Sequence, residues 1–126
     1  MLSTLFFLPE NNIFKWPTTL QQLSLSGNSL SNTFLSSLRE LPHLQYIDLS
    51  ENQFEGALDI SENETFKWPT NLQRLHLSSN SLNNSFLSSL RDLLHLQYLD
   101  LSYNKLEGTL DISGQYFHPL LYYKIL

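Results

Sequence analysis

The chain contains its own copy. Sliding the sequence along itself by 52 residues sets Phe14-Lys15-Trp16-Pro17 over Phe66-Lys67-Trp68-Pro69, and 35 positions from Phe14 to Ser61 match their counterparts as far as Ser113. Inside each copy runs a shorter, degenerate period. Leu20-Gln21-Gln22-Leu23-Ser24-Leu25-Ser26-Gly27-Asn28 recurs at Leu44 to Asn52, Leu72 to Asn80 and Leu96 to Asn104, each reading LxxLxLxxN, with Ile47 replacing one leucine. The steps between them are 24, 28 and 24 residues, so the unit is a short repeat followed by a long one. Periods of this length belong to stacked coils, because one coil alone cannot bury its apolar side.

The alternation in Leu23-Ser24-Leu25 and its counterparts puts leucines on one face of a short strand and polar side chains on the other. Leu23, Ile47, Leu75 and Leu99 are expected to pile up in register. Asn28, Asn52, Asn80 and Asn104 follow each strand, where an amide side chain can turn inward and bond backbone groups, so they are expected to form an internal ladder. In the short repeats, Phe34, Leu35, Leu38 and Leu41 recur as Phe86, Leu87, Leu90 and Leu93 at helical or 3₁₀ spacing, one stripe behind the strands. The long repeats return differently: Gly56 and Gly108 permit a tight turn, and Leu58-Asp59-Ile60 and Leu110-Asp111-Ile112 suggest a second strand on the flank. Pro17 and Pro69 hold Trp16 and Trp68 in extended backbone, where the indoles read as core anchors.

Composition removes several classes of function. No cysteine is present, which excludes a disulfide framework, a thiolate metal site and a cysteine nucleophile. Seven Lys plus Arg against twelve Asp plus Glu give a net charge of -5, which argues against a nucleic-acid partner. The run from Leu2 to Leu8 lacks a preceding basic residue and a small-residue cleavage site, so it reads poorly as a signal peptide. Leu120 to Leu126 is far shorter than the roughly 20 residues a bilayer-spanning helix needs, so direct membrane insertion is not expected. Residues 1–19 read as the tail of a truncated repeat. Repeats follow at 20–43, 44–71, 72–95 and 96–114 onward, and 115–126 reads as an irregular apolar end.

On these residues the chain resembles a leucine-rich repeat protein. The segments Leu44 to Gly56 and Leu96 to Gly108, reading LxxLxLxxNxxxG, with Leu-Asp-Ile-Ser at Leu58 to Ser61 and Leu110 to Ser113, are similar to the plant-specific class in the ectodomains of receptor-like proteins and receptor kinases. The resemblance implies an α/β solenoid, a right-handed superhelix with a short parallel sheet on the concave face. Helical, 3₁₀ or short-strand returns would lie on the convex side. It also implies a non-enzymatic binding module, a fragment of a cell-surface or extracellular membrane glycoprotein that acts in signalling. The cysteine-paired caps of such ectodomains are missing here.

Strand side chains on the outer face form columns, and these are the candidate site. One column is Gln22, Tyr46, Arg74 and Tyr98; the next is Ser24, Asp48, His76 and Asp100; then come Ser26, Ser50, Ser78 and Ser102; the strand exit holds Gly27, Glu51, Ser79 and Tyr103. Between the copies Gln22 becomes Arg74, Ser24 becomes His76 and Glu51 becomes Tyr103, while the core leucines scarcely change. Tyr46, Tyr98, Tyr103 and Arg74 form the best recognition cluster, since aromatic and guanidinium groups give large contact area and directional bonds. The expected partner is a protein or peptide ligand or a co-receptor. The column Asp48, His76, Asp100 alone resembles chemistry, through a His-carboxylate bond or a loose metal site. An open sheet offers no water-excluded pocket, so neither catalysis, cofactor nor metal is expected. The neighbouring carboxylates are expected to raise the His76 pKa. Asn63-Glu64-Thr65 and Asn83-Asn84-Ser85 are glycosylation sequons in return loops. The rival reading is a truncated, dormant fragment that self-associates through uncapped solenoid ends.

Overall fold

A computed structural model of the chain describes residues 2–4, 16–39, 41–61, 64–108 and 122–124. In chain order the elements are β1 (Leu2–Thr4), β2 (Gln22–Ser24), the 3₁₀ helix η1 (Asn32–Leu38), β3 (Tyr46–Asp48), β4 (Glu55–Gly56), β5 (Asp59–Ser61), β6 (Glu64–Thr65), β7 (Arg74–His76), β8 (Ser81–Leu82), the 3₁₀ helix η2 (Asn84–Leu90), β9 (Tyr98–Asp100) and β10 (Tyr122–Lys124). The main sheet is parallel and six-stranded, in the order β1-β2-β3-β7-β9-β10.

The register follows from the leucines. Leu23 pairs with Ile47, Ile47 with Leu75 and Leu75 with Leu99, and all four are buried. A slip of one residue would turn those side chains to solvent and bring polar ones into the core, so burial fixes the alignment. Leu25, Leu49, Leu77 and Leu101 form the next buried layer, and Leu20, Leu44, Leu72 and Leu96 the one before. The interior is therefore one continuous apolar column shared by successive coils.

Strands β2, β3, β7 and β9 are only three residues long because the asparagine beyond each bends the chain back. The Nδ2 group of Asn52 donates to Leu49 O (3.0 Å) and Ser50 O (3.1 Å) of its own coil and to Leu25 O (3.1 Å) of the preceding one. Its Oδ1 accepts Leu30 N–H at 3.0 Å. Asn80 and Asn104 repeat the pattern, with Oδ1 accepting Phe54 N–H and Leu82 N–H and Nδ2 reaching back to Leu49 O and Leu77 O. The amides thus satisfy backbone groups that the turn takes out of the ladder, across two coils at once.

The returns close each coil as the spacing predicts. Helix η1 buries Phe34, Leu35 and Leu38, and η2 buries Phe86, Leu87 and Leu90. Serines stabilise these tight turns by bonding carbonyls three residues back: Ser37 Oγ donates to Phe34 O (2.9 Å) and Ser89 Oγ to Phe86 O (2.8 Å). The same hydroxyls accept the indole N–H of Trp16 (3.4 Å) and Trp68 (3.3 Å), which satisfies each ring's one polar atom. Trp68 is buried in edge-to-face contact with Phe66 at 4.8 Å, whereas Trp16 packs against the core only in part.

Two features differ from the sequence reading. Residues 115–126, expected to be irregular, contain β10, which pairs with β9 in register; β1, within the stretch read as the tail of a truncated repeat, adds a strand beside β2 that the sequence did not announce. Backbone pairing extends a parallel sheet without needing the LxxLxLxxN pattern. Leu58, expected to open a flank strand, instead has φ +63 and turns its side chain into the core; the strand begins at Asp59 and folds back antiparallel onto β6. A separate parallel pair, β4 with β8, links the long repeat to the next coil. Gly56 and Gly108 adopt the expected left-handed turns, with φ +61 and +70. Leu110-Asp111-Ile112 lies outside the described residues.

Candidate recognition face

The strands β2, β3, β7 and β9 set Gln22, Tyr46, Arg74 and Tyr98 in one row, and Ser24, Asp48, His76 and Asp100 in the next. Adjacent rows interleave. The His76 ring lies 5.3 Å from Tyr46 and 4.8 Å from Tyr98, tilted by 49° and 32°, and the Arg74 guanidinium carbon stands 5.0 Å from the Tyr98 centroid. Tyr46, His76 and Tyr98 are half-buried, while Gln22 and Arg74 are exposed. The result is a cluster of neighbouring rings over an aliphatic core, with the Arg74 cation against Tyr98.

The aspartates do something the sequence did not reveal. Asp48 Oδ1 accepts the Ser50 backbone N–H and Asp100 Oδ1 accepts that of Ser102, both at 3.0 Å, and Ser102 Oγ donates to Asp100 Oδ1 at 2.6 Å. Each carboxylate is thereby fastened to its own strand exit, two residues on. Among the described residues no group of three His, Asp or Glu side chains is placed to hold a metal ion.

The expectation for His76 is corrected. Its pKa is lowered from the ordinary 6.5, chiefly because burial disfavours the charged ring; Asp48 and Asp100 pull upward and Arg74 downward, and burial prevails. Its Nε2 is buried without a hydrogen-bond partner, so the imidazole acts here as a neutral aromatic plate. Tyr46 is raised above its ordinary value by burial first and by Asp48 second.

At the strand exits Glu51, Ser79 and Tyr103 have φ of +57, +57 and +59, the left-handed conformation that Gly27 adopts at +73 in the first coil. Glu51 is exposed and Tyr103 strongly so, at 69%. Asn83 is exposed at the N-cap of η2, where its Oδ1 accepts Ser85 N–H at 3.0 Å; Asn63 lies outside the described residues. Sequence reasoning missed Asn32 and Asn84. Asn32 takes Glu55 N–H on Oδ1 and donates to Glu55 O, both at 3.0 Å, and Asn84 does the same with Glu107. Their identity in both copies was the available signal, hidden among many other asparagines.

On the flank, two clefts of about 310 and 550 Å³ meet at Lys67, Trp68 and Thr70, and neither contains a residue of the concave rows. No helix among the described residues is long and apolar enough to cross a membrane.

A curved coil stack of this kind, built on one repeated leucine pattern with an asparagine at every strand exit, defines a repeat solenoid. The chain belongs to the leucine-rich repeat family: the family model described as Leucine Rich Repeat matches residues 19–41, 43–65, 71–93 and 95–117. It is 38% identical over 79 residues to Receptor-like protein 36 of Arabidopsis thaliana, covering 63% of this chain and 11% of that protein. It is 34% identical over 119 residues to Toll-like receptor 9 of Mus musculus, covering 94% of this chain and again 11% of the relative. Among solved structures, an internalin C2 from Listeria monocytogenes superposes with a TM-score of 0.66 at 25% identity, covering 86% of this chain and 43% of that one. The chain thus spans about a tenth of the length of the two receptor relatives. Plant, animal and bacterial proteins match together, which establishes the repeat family and leaves the plant-specific class unsingled.

Proposed function

We propose that this chain is a protein- or peptide-binding module that engages its partner on the concave face, as part of a plant receptor-like ectodomain acting at the cell surface in ligand recognition or signalling. It recognises without transforming. The observation that carries this reading is the Tyr46, His76, Tyr98 and Arg74 layer: large side chains held half-exposed by a rigid sheet give up little entropy on binding. Gln22, Asp48, Asp100, Glu51 and Tyr103 complete the contact surface. The plant assignment draws support from the LxxLxLxxNxxxG pattern and from the similarity to Receptor-like proteins 36 and 41 of Arabidopsis thaliana. Asn63 and Asn83 are the glycosylation sequons, and a glycan on Asn83, exposed at the N-cap of η2, would leave the concave face open.

The test is to select binders from a random peptide library on the immobilised chain and to measure their affinity for the double variant Tyr98→Ala/Arg74→Ala. Truncating two central anchors should weaken binding at least tenfold, roughly the effect of one hot spot. Unchanged affinity with an intact circular dichroism spectrum rejects the face. A second reading, self-association through the solenoid ends, is favoured by the open sheet, whose outermost described strands are β1 and β10. Light scattering after size exclusion separates the two, since a stable monomer excludes the second.

A further inference from the structure

We infer that the partner of this face presents a cationic side chain, a lysine ammonium or an arginine guanidinium, that seats between Asp48 and Asp100 over the Tyr46, His76 and Tyr98 rings. This rests on the concave-face reading above and narrows it to one chemistry.

Charge and position together select a cation. Across the described strands of the sheet and their described exits the rows carry Asp48, Asp100 and Glu51 against Arg74 and, in register with Asp100 on the outermost strand β10, Lys124. The charges are also sorted along the strand direction. Arg74 occupies the first strand position, the two aspartates the third, and Glu51 the exit, so between β3 and β9 the trailing half of the face is negative and the leading half positive, with Lys124 of β10 following Asp100 at the outer edge. Asp48 and Asp100 flank His76 in register, and two strand spacings separate their backbones by about 10 Å. A lysine or arginine head group fits that interval.

The carboxylates are oriented before any partner arrives, because the Ser50 and Ser102 N–H groups hold one oxygen of each. Such preorganisation lowers the ordering cost of binding. Between them lies the His76 ring, packed against Tyr46 and Tyr98, and the Tyr98 ring already holds one cation on its face, the Arg74 guanidinium, whose carbon stands 5.0 Å from the centroid. Arg74 closes the leading side against a second cation, so the partner's cation enters from the exit side. His76 does not oppose it: burial keeps the imidazole neutral, and its buried Nε2 makes no hydrogen bond that the partner must break.

The probes are peptides selected from the random library, compared with oligolysine and oligoglutamate of equal length, on the wild-type chain and on Asp48→Asn, Asp100→Asn and the double variant. Asparagine keeps the side-chain oxygen that accepts the Ser50 or Ser102 N–H, so the turns survive while the charge goes. Face-mapping peptides should be enriched in Lys and Arg. Each substitution should weaken them roughly two- to fivefold, as removal of one exposed charge pair does, with further loss at raised ionic strength. Oligolysine should shift the Tyr98 and His76 proton resonances and oligoglutamate should not. Peptides that map to the concave face but lack basic residues, or ignore both substitutions, overturn the cationic inference and leave the binding face standing. Peptides that map to the convex side overturn both.

Discussion

Replacing Asn80 by alanine removes one rung of the internal ladder, and its cost follows from what each bond leaves behind. Asn80 is 8% exposed. Its Oδ1 accepts the N–H of the fully buried Phe54 at 3.1 Å, and its Nδ2 donates to Leu49 O and Leu77 O, each at 3.1 Å, and to Ser78 O at 3.2 Å. The carbonyls are partly insured: Leu49 O also accepts from Asn52 and Leu77 O from Asn104. Phe54 N–H loses its side-chain acceptor in a place water does not reach. An orphaned buried N–H costs about 1–3 kcal/mol and each weakened carbonyl bond about 0.5 kcal/mol, which gives about 3 kcal/mol. For a chain of 126 residues that corresponds to a fall in Tm of about 11 °C. Asn84→Ala is the control, since it also removes a two-way bond to a backbone unit, at Glu107, but in exposed surroundings where water substitutes; it should cost about 1 kcal/mol or less. Asn80→Asp keeps the acceptor for Phe54 but sets carboxylate oxygens against carbonyl oxygens, and should be at least as damaging as alanine. Thermal melts followed by circular dichroism decide it. If Asn80→Ala melts no lower than Asn84→Ala, the coils are held by leucine packing alone and the ladder argument fails.

Gly27→Ala should destabilise by about 1 kcal/mol through its left-handed φ of +73 alone, because a Cβ there meets nothing within 4 Å; a larger loss in urea titration would mean that space, not backbone, is limiting. Trp68→Ala should cost about 3–5 kcal/mol as a buried aromatic truncation, and clearly more than Trp16→Ala, whose ring is only partly covered; equal melting points would contradict the packing described. His76 should titrate below 6.5 by NMR, because its burial between Tyr46 and Tyr98 outweighs the pull of Asp48 and Asp100 and adds to the push of Arg74. The unfolded chain then binds more protons than the folded one between the two pKa values. The His76 contribution to folding is therefore constant above pH 6.5 and turns destabilising as pH falls through 6.5 toward the folded value, an effect that His76→Phe should remove from the pH dependence of urea unfolding.

What could be read from the sequence was whatever repeats. Leu23, Ile47, Leu75 and Leu99 announce their register because a period-two pattern repeated at LxxLxLxxN permits one buried arrangement. The asparagines announce a turn. That they span two coils, as in the bond from Asn52 to Leu25 O, is a property of stacking and appears only with the third dimension. Strands β1 and β10 went unread because they join by backbone hydrogen bonding and carry no motif. The direction of the His76 shift was misjudged for a related reason. The sequence displays the charges of Asp48 and Asp100 at matching repeat positions, but the rings that bury the imidazole come from the neighbouring row, on strands β3 and β9.

The strand exits explain how such a chain can vary its face without losing its fold. Gly27, Glu51 and Ser79 share a left-handed backbone, and each N–H donates to the next coil, to Ser50 O, Ser78 O and Ser102 O at 3.0, 2.9 and 2.9 Å. Those bonds, with the asparagine that follows each residue, determine the conformation before the side chain has any say. A glycine would adopt it at little cost, yet the chain places Glu51, Ser79 and Tyr103 there and accepts strain of about 1 kcal/mol apiece. The side chain itself points outward and touches the core nowhere decisive, as the 69% exposure of Tyr103 shows. A position whose backbone is fixed by its neighbours and whose side chain is free can take acid, hydroxyl or aromatic in turn. The two copies of the 52-residue unit use that freedom, with Gly27 against Ser79 and Glu51 against Tyr103, while Leu25 and Asn28 recur as Leu77 and Asn80. Chemical variety at the face and constancy beneath it are two consequences of the same ladder.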